Sequence, residues 1–184
     1  MKKNMDKESG RRMLERKRSL DYVTLQGLTV QTGCDPEDLD VFVLKELVDN
    51  ALDACEENNP TIEVTFETDK FVTLTVKDSG KGLTEADVER IADFDRACST
   101  KFHYKCPTRG ALGNALKCVF GIPYALASEQ IIDLPAEPIR VRSKGKEFGI
   151  HLDLQKLEGQ VCSQIFSRDT KSGSGTEVSL TLPL

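Results

Sequence analysis

The stretch LKELVDNALDACEEN, residues 44–58, spaces its apolar side chains at three- and four-residue intervals, as an amphipathic helix does. Its other side carries Glu46, Asp49, Asn50 and Asp53, which fall within an arc of about 100° on a helix. We call these four residues the acidic stripe. Like charges at this spacing repel each other, and asparagine is a poor residue for the middle of a helix. The stripe is therefore either a solvated face or a face turned toward a cation, for which such side chains supply oxygen ligands.

The pattern of apolar residues predicts an α+β chain around this helix. The helix is expected at 36–57, with an apolar side that lies on a sheet and consists of Val41, Leu44, Leu47, Val48, Ala51 and Cys55. Strands are predicted at 21–30, 61–66, 71–77, 139–143, 147–154, 161–167 and 176–182, with a hairpin turn at 144–146. Further helices are predicted at 85–97, capped by Thr84, and at 114–120, ending near Gly121 and Pro123. A strand-rich second half with helices concentrated earlier favours an α+β sandwich over a doubly wound fold.

The composition indicates one globular domain with a basic N-terminal segment. Of 184 residues, 39% are hydrophobic and 30% charged, and no apolar run approaches the roughly 20 residues that cross a bilayer. Residues 1–18 hold eight Lys/Arg against three Asp/Glu, although the whole chain carries −5. We expect an arm at 1–20, which contacts nucleic acid or an acidic partner or is simply solvated, and a single domain at 21–184. With no apolar N-terminal signal and no CxxC pair among six cysteines, we expect free thiols and a cytoplasmic location.

Two glycine-containing segments have features that suit a nucleotide. In DSGKGL, residues 78–83, Gly80 and Gly82 allow a tight turn and the close approach of a flat ligand. Asp78 can accept a hydrogen bond there from an exocyclic amino group such as that of adenine. In RGALGNALK, residues 109–117, two glycines lead into a helix start whose N–H groups and dipole favour phosphate, and Arg109 and Lys117 add positive charge. Each segment alone fits a hairpin turn or an ordinary capped helix equally well, and GSGT at 173–176 indicates only a turn.

Taken in order, ELVDNALDA, DSGKGL, TRGALGNALK and SGTEVSL resemble the motifs of the GHKL (Bergerat-fold) ATPase superfamily. This superfamily includes gyrases, a heat-shock chaperone, histidine kinases and mismatch-repair ATPases, and the resemblance spans residues 41–182. Within it, ELVDNALDACEE together with STKFHYKCPTRGALGNALK is most similar to the B subunit of topoisomerase VI and its bacterial relatives. The resemblance implies a two-layer α/β sandwich with a mixed, mostly antiparallel sheet. Helices would cover one face of that sheet, and a nucleotide would lie between the helices and a lid.

The resemblance also implies a role for each motif residue. Glu46 would be the general base that orients and deprotonates the attacking water, and Asn50 would bind the Mg²⁺ that bridges the phosphates of ATP. Asp78 would hold adenine, Gly82 would pack near the base, and Thr176 would support adenine through water. The other expected nucleotide-binding residues, including the lid over the triphosphate, are Asp53, Gly80, Thr100, Lys101, Arg109, Gly110, Ala111, Leu112, Gly113, Asn114 and Lys117.

The sequence departs from the family pattern at two points. Ala115 stands where family lids commonly carry a third glycine. Topoisomerase-like relatives also complete the site with a lysine from a following transducer domain, whereas this chain ends at Leu184. We therefore expect hydrolysis by this chain alone to be slow or absent while ATP binding persists.

Three functional classes follow from the resemblance. The favoured class is an ATPase domain whose ATP-driven homodimerisation works a topoisomerase-like machine, with DNA and a topoisomerase A-like cleavage subunit as partners and no membrane. The second class is a nucleotide-gated regulatory clamp with little turnover. The third is a histidine or anti-sigma type protein kinase, and Glu46 argues against it because such kinases usually lack the water-activating glutamate.

Overall fold

The computed structural model describes residues 18–55, 63–68, 70–95, 114–155, 159–171 and 173–184. Within these ranges the chain forms six strands and four α-helices. The strands are β1 (Glu63–Thr68), β2 (Phe71–Lys77), β3 (Ile139–Ser143), β4 (Lys146–Gln155), β5 (Gln160–Asp169) and β6 (Thr176–Pro183). The helices are α1 (Leu25–Thr32), α2 (Leu39–Ala54), α3 (Glu85–Ala92) and α4 (Ala115–Gln130), with short 3-10 helices at Arg18–Tyr22 and Pro36–Asp38.

The strands form one sheet in the order β1-β2-β6-β3-β4-β5. Every neighbouring pair in it is antiparallel, so the mixed sheet that we expected is wrong in that detail. Lys77 at the end of β2 pairs with Glu177, and Ser143 at the end of β3 pairs with Thr176. The C-terminal ends of β2 and β3 and the start of β6 therefore lie side by side at one end of the strands.

The sheet has one apolar face and one polar face, which confirms the two-layer α+β architecture. On β2, Leu74 and Val76 are buried in the core, and helices α2 and α4 contact β2 and β6 from that side. Thr75 points to the opposite face, where its hydroxyl lies 2.8 Å from that of Ser179 on β6. This alternation follows from the two-residue period of a strand.

The long central helix is shorter than predicted, and its buried side is slightly rotated. A 3-10 turn at Pro36–Asp38 precedes α2, and Cys55 follows its last residue. Leu47, Ala51 and Cys55 are buried as expected, but Val41 is 61% exposed and Val43 is fully buried instead. Val41 lies in the first turn of the helix and lines an open surface cavity together with residues of β2 and β6.

The predicted strand at 21–30 is wrong, because this segment is helical. Thr24 caps α1 by accepting a hydrogen bond from the N–H of Gly27, and Gly33 ends the helix in the left-handed region. The alternation of YVTLQGLTV suggested a strand, but Leu28 alone within α1 is buried and Val30 remains 79% exposed. One buried residue per two turns suits a short surface helix better than a strand.

Helix α4 continues through Gly121 and Pro123, where the sequence predicted its end. A proline inside a helix costs about 3 kcal/mol relative to alanine. Residues 117–125 are all buried, however, and Phe120 and Ile122 lie in the core. Burying one large apolar side chain contributes about 1.5–3 kcal/mol, so several of them outweigh the unfavourable proline.

The remaining predicted elements agree with the structure in type and differ at their ends. The strands at 71–77 and 139–143 match β2 and β3, and the hairpin turns at Lys144 and Gly145, both with positive φ. Helix α3 starts at the predicted cap, where Thr84 and Asp87 form a capping box, but it ends at Ala92 instead of residue 97. Residues 61–62 and the irregular segment predicted at 98–113 lie outside the described residues. Among those that are described, no helix has the length and apolar character needed to cross a membrane.

Candidate functional site

The acidic stripe lies on α2 and includes a basic neighbour that the sequence analysis overlooked. The Nζ of Lys45 lies 2.8 Å from Glu46 Oε1 and 3.1 Å from Asp49 Oδ2. Hydrogen bonds to Glu46 and then to Asp49 raise the pKa of Lys45 above its usual range. The stripe is thus partly neutralised, although the Lys45 side chain itself is 62% exposed. This arrangement relieves the like-charge repulsion that first suggested a bound cation.

Glu46 is the less exposed of the two carboxylates paired with Lys45, and it faces α4. Its side chain is 17% exposed, compared with 34% for Asp49. Burial, followed by the negative charge of Glu46, raises the pKa of the Cys118 thiol on α4 to about 12. Helices α2 and α4 pack against each other, and this effect agrees with a Glu46 side chain on the α4 side of α2. Glu46 therefore occupies the junction between α2 and α4.

Asn50 lies one helical turn after Glu46 on the same side of α2. Its Nδ2 donates a hydrogen bond to the carbonyl oxygen of Glu46 at 2.6 Å. The bond fixes the side-chain amide and directs Oδ1 away from the helix backbone, where it can serve as an oxygen ligand. Asp53 follows three residues later and is half-buried.

The carboxylate of Asp78 is buried and joins two strands of the sheet. Its Oδ1 accepts hydrogen bonds from the N–H of Gly80 at 2.8 Å and from the N–H of Thr176 at 3.1 Å. The N–H of Asp78 in turn donates to the carbonyl oxygen of Thr176 at 2.8 Å. These bonds fix the carboxylate through one oxygen, so Oδ2 is the atom that can accept a further donor.

Gly80 explains how the α2 residues come close to Asp78. A Cβ at Gly80 would lie 2.6 Å from the carbonyl oxygen of Ala54, the last residue of α2. The loop at 78–84, which we call the β2 loop, therefore packs directly against the C-terminal end of α2. Asn50 and Asp53 lie within the last two turns of this helix. The two segments that the sequence singled out separately thus share one surface.

Residues at the start of α4 occupy two different environments. Asn114 precedes the helix, and its Oδ1 is buried with no hydrogen-bond partner in the part of the chain that the structure describes. Lys117 is 2% exposed, and its Nζ donates to the carbonyl oxygen of Asp93 just after α3. The ammonium group that we expected beside a triphosphate is therefore directed toward the end of α3. The expected residues Thr100, Lys101, Arg109, Gly110, Ala111, Leu112 and Gly113 lie outside the described residues.

Ser143, the last residue of β3, was not predicted as a site residue. Its side chain is buried and contacts both the β2 loop and the segment before β6. Gly82 lies beside it, since a Cβ at Gly82 would be 2.7 Å from Ser143 Oγ. A serine at the end of a predicted strand carries no motif, so only the order of the strands could have revealed it.

Gly175 allows the segment before β6 to pass beneath Asp78, which gives a prediction for stability. Its φ is 90°, and a Cβ there would overlap the carbonyl oxygen of Asp78. We expect Gly175→Ala to lower the free energy of unfolding by about 2–4 kcal/mol, measured by urea denaturation. Gly173→Ala is the matched control, because its Cβ would meet no described atom within 4 Å and the change should stay within about 0.5 kcal/mol. Equal effects of the two substitutions would contradict this packing.

The profile of the family described as histidine kinase-, DNA gyrase B-, and HSP90-like ATPase matches residues 34–184. The chain belongs to this family. The matched region includes α2, the β2 loop, α4 and β6, and hence every described element of the candidate site. Recognition of the GHKL superfamily from its four motifs is confirmed, and so is its sandwich fold.

Individual relatives of this ATPase domain include components of a topoisomerase. The chain is 31% identical over 147 residues to the B subunit of the type 2 DNA topoisomerase 6 of Pyrococcus horikoshii, covering 75% of this chain and 24% of that protein. The corresponding B subunit of Halobacterium salinarum is 28% identical over 156 residues, covering 77% and 18%. The DNA mismatch repair protein MutL of Parabacteroides distasonis is 30% identical over 137 residues, covering 68% and 20%. The chain therefore spans less than a quarter of the length of these relatives.

Proposed function

We propose that this domain binds ATP between α2, the β2 loop, the start of β6 and the start of α4, and hydrolyses it with Mg²⁺. The observation that carries the proposal is the buried Asp78 carboxylate, which two backbone N–H groups fix beside the C-terminal end of α2. A fixed, buried acceptor suits the nucleobase of a nucleotide. The neighbouring stripe of oxygen ligands suits the cation that accompanies the phosphates. Membership of the ATPase family supports this assignment.

Asp78 Oδ2 would accept the exocyclic amino group of adenine. Guanine carries a carbonyl oxygen at the corresponding position, and two acceptors facing each other would repel. The site should therefore prefer ATP to GTP. Thr176 and Gly82 both lie close to Ser143 at the end of β3 and would support the adenine ring.

The start of α4 would bind the phosphates. Four N–H groups at the beginning of a helix lack partners within it, and the helix dipole favours negative charge there. The buried Asn114 Oδ1 at this point is an acceptor, so its partner would be a donor or a cation and not a phosphate oxygen. We assign the segment at 100–113 to the lid on the strength of the family motif alone.

Asn50 would hold Mg²⁺ through Oδ1. The donor set fits the ion, since Mg²⁺ prefers hard oxygen ligands and usually takes only one or two from the protein. Within the described residues no group of three or more His, Cys, Asp or Glu side chains forms a preformed metal cage. When bound, the cation would neutralise charge on the phosphates.

Glu46 would act as the general base on the attacking water. Its Oε1 is bonded to Lys45, so we assign Oε2 to the water. The i,i+4 relation to Asn50 places both side chains on one side of α2, where they can serve the same terminal phosphate. Catalysis would come from positioning and charge stabilisation. Asp49 and Asp53 would have supporting roles.

The larger assembly is also part of the proposal. The relatives named as B subunits of the type 2 DNA topoisomerase 6 support DNA and a second, cleavage subunit as partners of this domain. We also propose that ATP drives its dimerisation and that it works in the cytoplasm. We infer that residues 1–20 form a basic arm and that 21–184 form the ATPase domain proper.

One experiment separates an enzyme, a clamp and an inert domain. ATP hydrolysis and sedimentation velocity would be measured with Mg²⁺, with and without a non-hydrolysable ATP analogue. We expect Mg²⁺-dependent binding, a shift to dimer with the analogue, and slow phosphate release. Dimerisation without any phosphate release would indicate the clamp, whereas no nucleotide binding at all would refute the proposed function.

The basic arm gives a prediction for DNA binding. If the eight Lys/Arg of residues 1–18 contact phosphates, affinity for duplex DNA should fall by about 10⁴-fold between 50 and 200 mM salt. Deleting residues 1–18 should abolish binding in a fluorescence anisotropy titration. If the deletion variant binds DNA as tightly as the full chain, or if the affinity does not depend on salt concentration, the arm does not contact DNA.

A further inference from the structure

The β2 loop is fastened to the rest of the sheet at both ends. At its beginning, Asp78 bonds to Thr176 through both its backbone N–H and its side-chain Oδ1. Near its far end, the N–H of Leu83 donates to Ser143 Oγ at 2.8 Å. The loop therefore leaves β2, crosses the start of β6 and reaches β3, because β6 lies between these two strands.

Ser143 links the β2 loop to the segment that it crosses. Its hydroxyl donates to the carbonyl oxygen of Gly175 at 2.8 Å while its oxygen accepts from Leu83. The side chain is 1% exposed, so water does not replace either partner readily. One hydroxyl thus fixes the separation between two backbone segments that flank the Asp78 carboxylate.

We infer that Ser143 is a positioning residue for the base-binding part of the site, an inference that rests on the proposed ATP function. Without the hydroxyl, the Leu83 N–H and the Gly175 carbonyl each lose a buried partner, and the two segments can separate. Asp78 would keep its bonds to Gly80 and Thr176, but the far part of the β2 loop, at Gly82 and Leu83, would no longer be held against the segment at 173–175. The expected consequence is weaker binding of the base, with little effect on groups that bind phosphates.

The decisive variant is Ser143→Ala, compared with Ser179→Ala. Ser179 is the matched control because it lies in the same sheet, is 8% exposed and shares one hydroxyl hydrogen bond with Thr75, but on the opposite face. For each protein we would measure the affinity for a fluorescent ATP analogue, the affinity for inorganic tripolyphosphate, and hydrogen exchange at the Leu83 amide without nucleotide.

For Ser143→Ala we expect about tenfold weaker binding of the ATP analogue, equivalent to about 1.4 kcal/mol. Tripolyphosphate affinity should stay within about twofold, and exchange at Leu83 should accelerate about tenfold or more. Ser179→Ala should match the wild type in all three measurements. These results together would separate base positioning from a general loss of structure.

Several outcomes would overturn the inference. If the wild type binds ATP but Ser143→Ala leaves either the ATP affinity or the Leu83 exchange unchanged, Ser143 is not a positioning residue and the proposed function stands. If Ser143→Ala weakens tripolyphosphate binding as much as ATP binding, or no longer folds, Ser143 stabilises the whole domain and does not position the nucleobase site. A wild-type protein that binds no ATP would refute both the function and the inference.

Discussion

Replacing Glu46 by glutamine is expected to lower the rate of ATP hydrolysis by about 10²–10⁴-fold while leaving nucleotide affinity within about threefold of the wild type. Glutamine keeps the size of the side chain and one acceptor oxygen for Lys45, but it cannot accept a proton from water. Because Glu46 lies at the junction of α2 and α4 and makes no contact that fixes Asp78, the base-binding part of the site should survive. Phosphate release and analogue binding would be measured on the same protein sample.

The control for this prediction is Asp49→Asn. Asp49 belongs to the same stripe, bonds to the same Lys45, and loses the same charge in the substitution. If the loss of a negative charge from the stripe is what matters, both variants should hydrolyse ATP equally slowly. If Glu46 is the general base, only Glu46→Gln should show a large loss of hydrolysis rate. Full turnover by Glu46→Gln would remove Glu46 from the chemistry.

Replacing Asn50 by alanine is expected to abolish Mg²⁺-dependent ATP binding. We expect an affinity loss of about 100-fold, or about 2.7 kcal/mol, in calorimetric titrations with Mg²⁺ present. The physical reason is the loss of the only Asn50 side-chain atom that can ligate the cation, since Nδ2 is already bonded to the Glu46 carbonyl. In EDTA, the variant and the wild type should bind ATP with the same weak affinity.

The comparison with and without the cation makes this prediction specific. A purely structural effect of Asn50→Ala would weaken binding equally in Mg²⁺ and in EDTA. Gln130→Ala is a useful control, because it removes an exposed amide at the last turn of α4 and should leave both titrations unchanged. An Asn50→Ala variant that retains a full Mg²⁺ effect would show that the cation is held elsewhere.

The sheet was the most predictable part of the fold. In β2 the alternation of Thr73, Leu74, Thr75 and Val76 gives each residue a definite face, and the structure places them accordingly. The Lys144-Gly145 turn joins β3 to β4, so local sequence was sufficient there as well. Such signals depend on neighbouring residues only, and tertiary contacts did not override them.

Helices α1 and α4 could not be predicted correctly from local pattern. The segment containing Gly27 and Leu28 alternates like a strand, yet its helix depends on a cap at Thr24 and on packing against the 3-10 helix at Arg18–Tyr22. In α4, the local preference of Pro123 was outweighed by burial on the sheet. Both errors arise where contacts distant in sequence decide the conformation.

The site was predictable where its residues lie on one element and less so where elements meet. Glu46 and Asn50 share a side of α2 through helical periodicity alone. Lys45 was overlooked because the stripe was defined by its acidic and amide residues alone, although Lys45 and Asp49 have the i,i+4 spacing of a helical ion pair and its long side chain also reaches Glu46. Ser143 depends on the strand order, which no single segment encodes.

A crystal structure of the domain with Mg²⁺ and a non-hydrolysable ATP analogue tests the proposed site most directly. We expect the adenine amino group to lie within hydrogen-bonding distance of Asp78 Oδ2. We also expect Mg²⁺ on Asn50 Oδ1, with Glu46 facing the terminal phosphate. An analogue bound with its adenine away from Asp78, or with its phosphates away from α2, would contradict the proposed site.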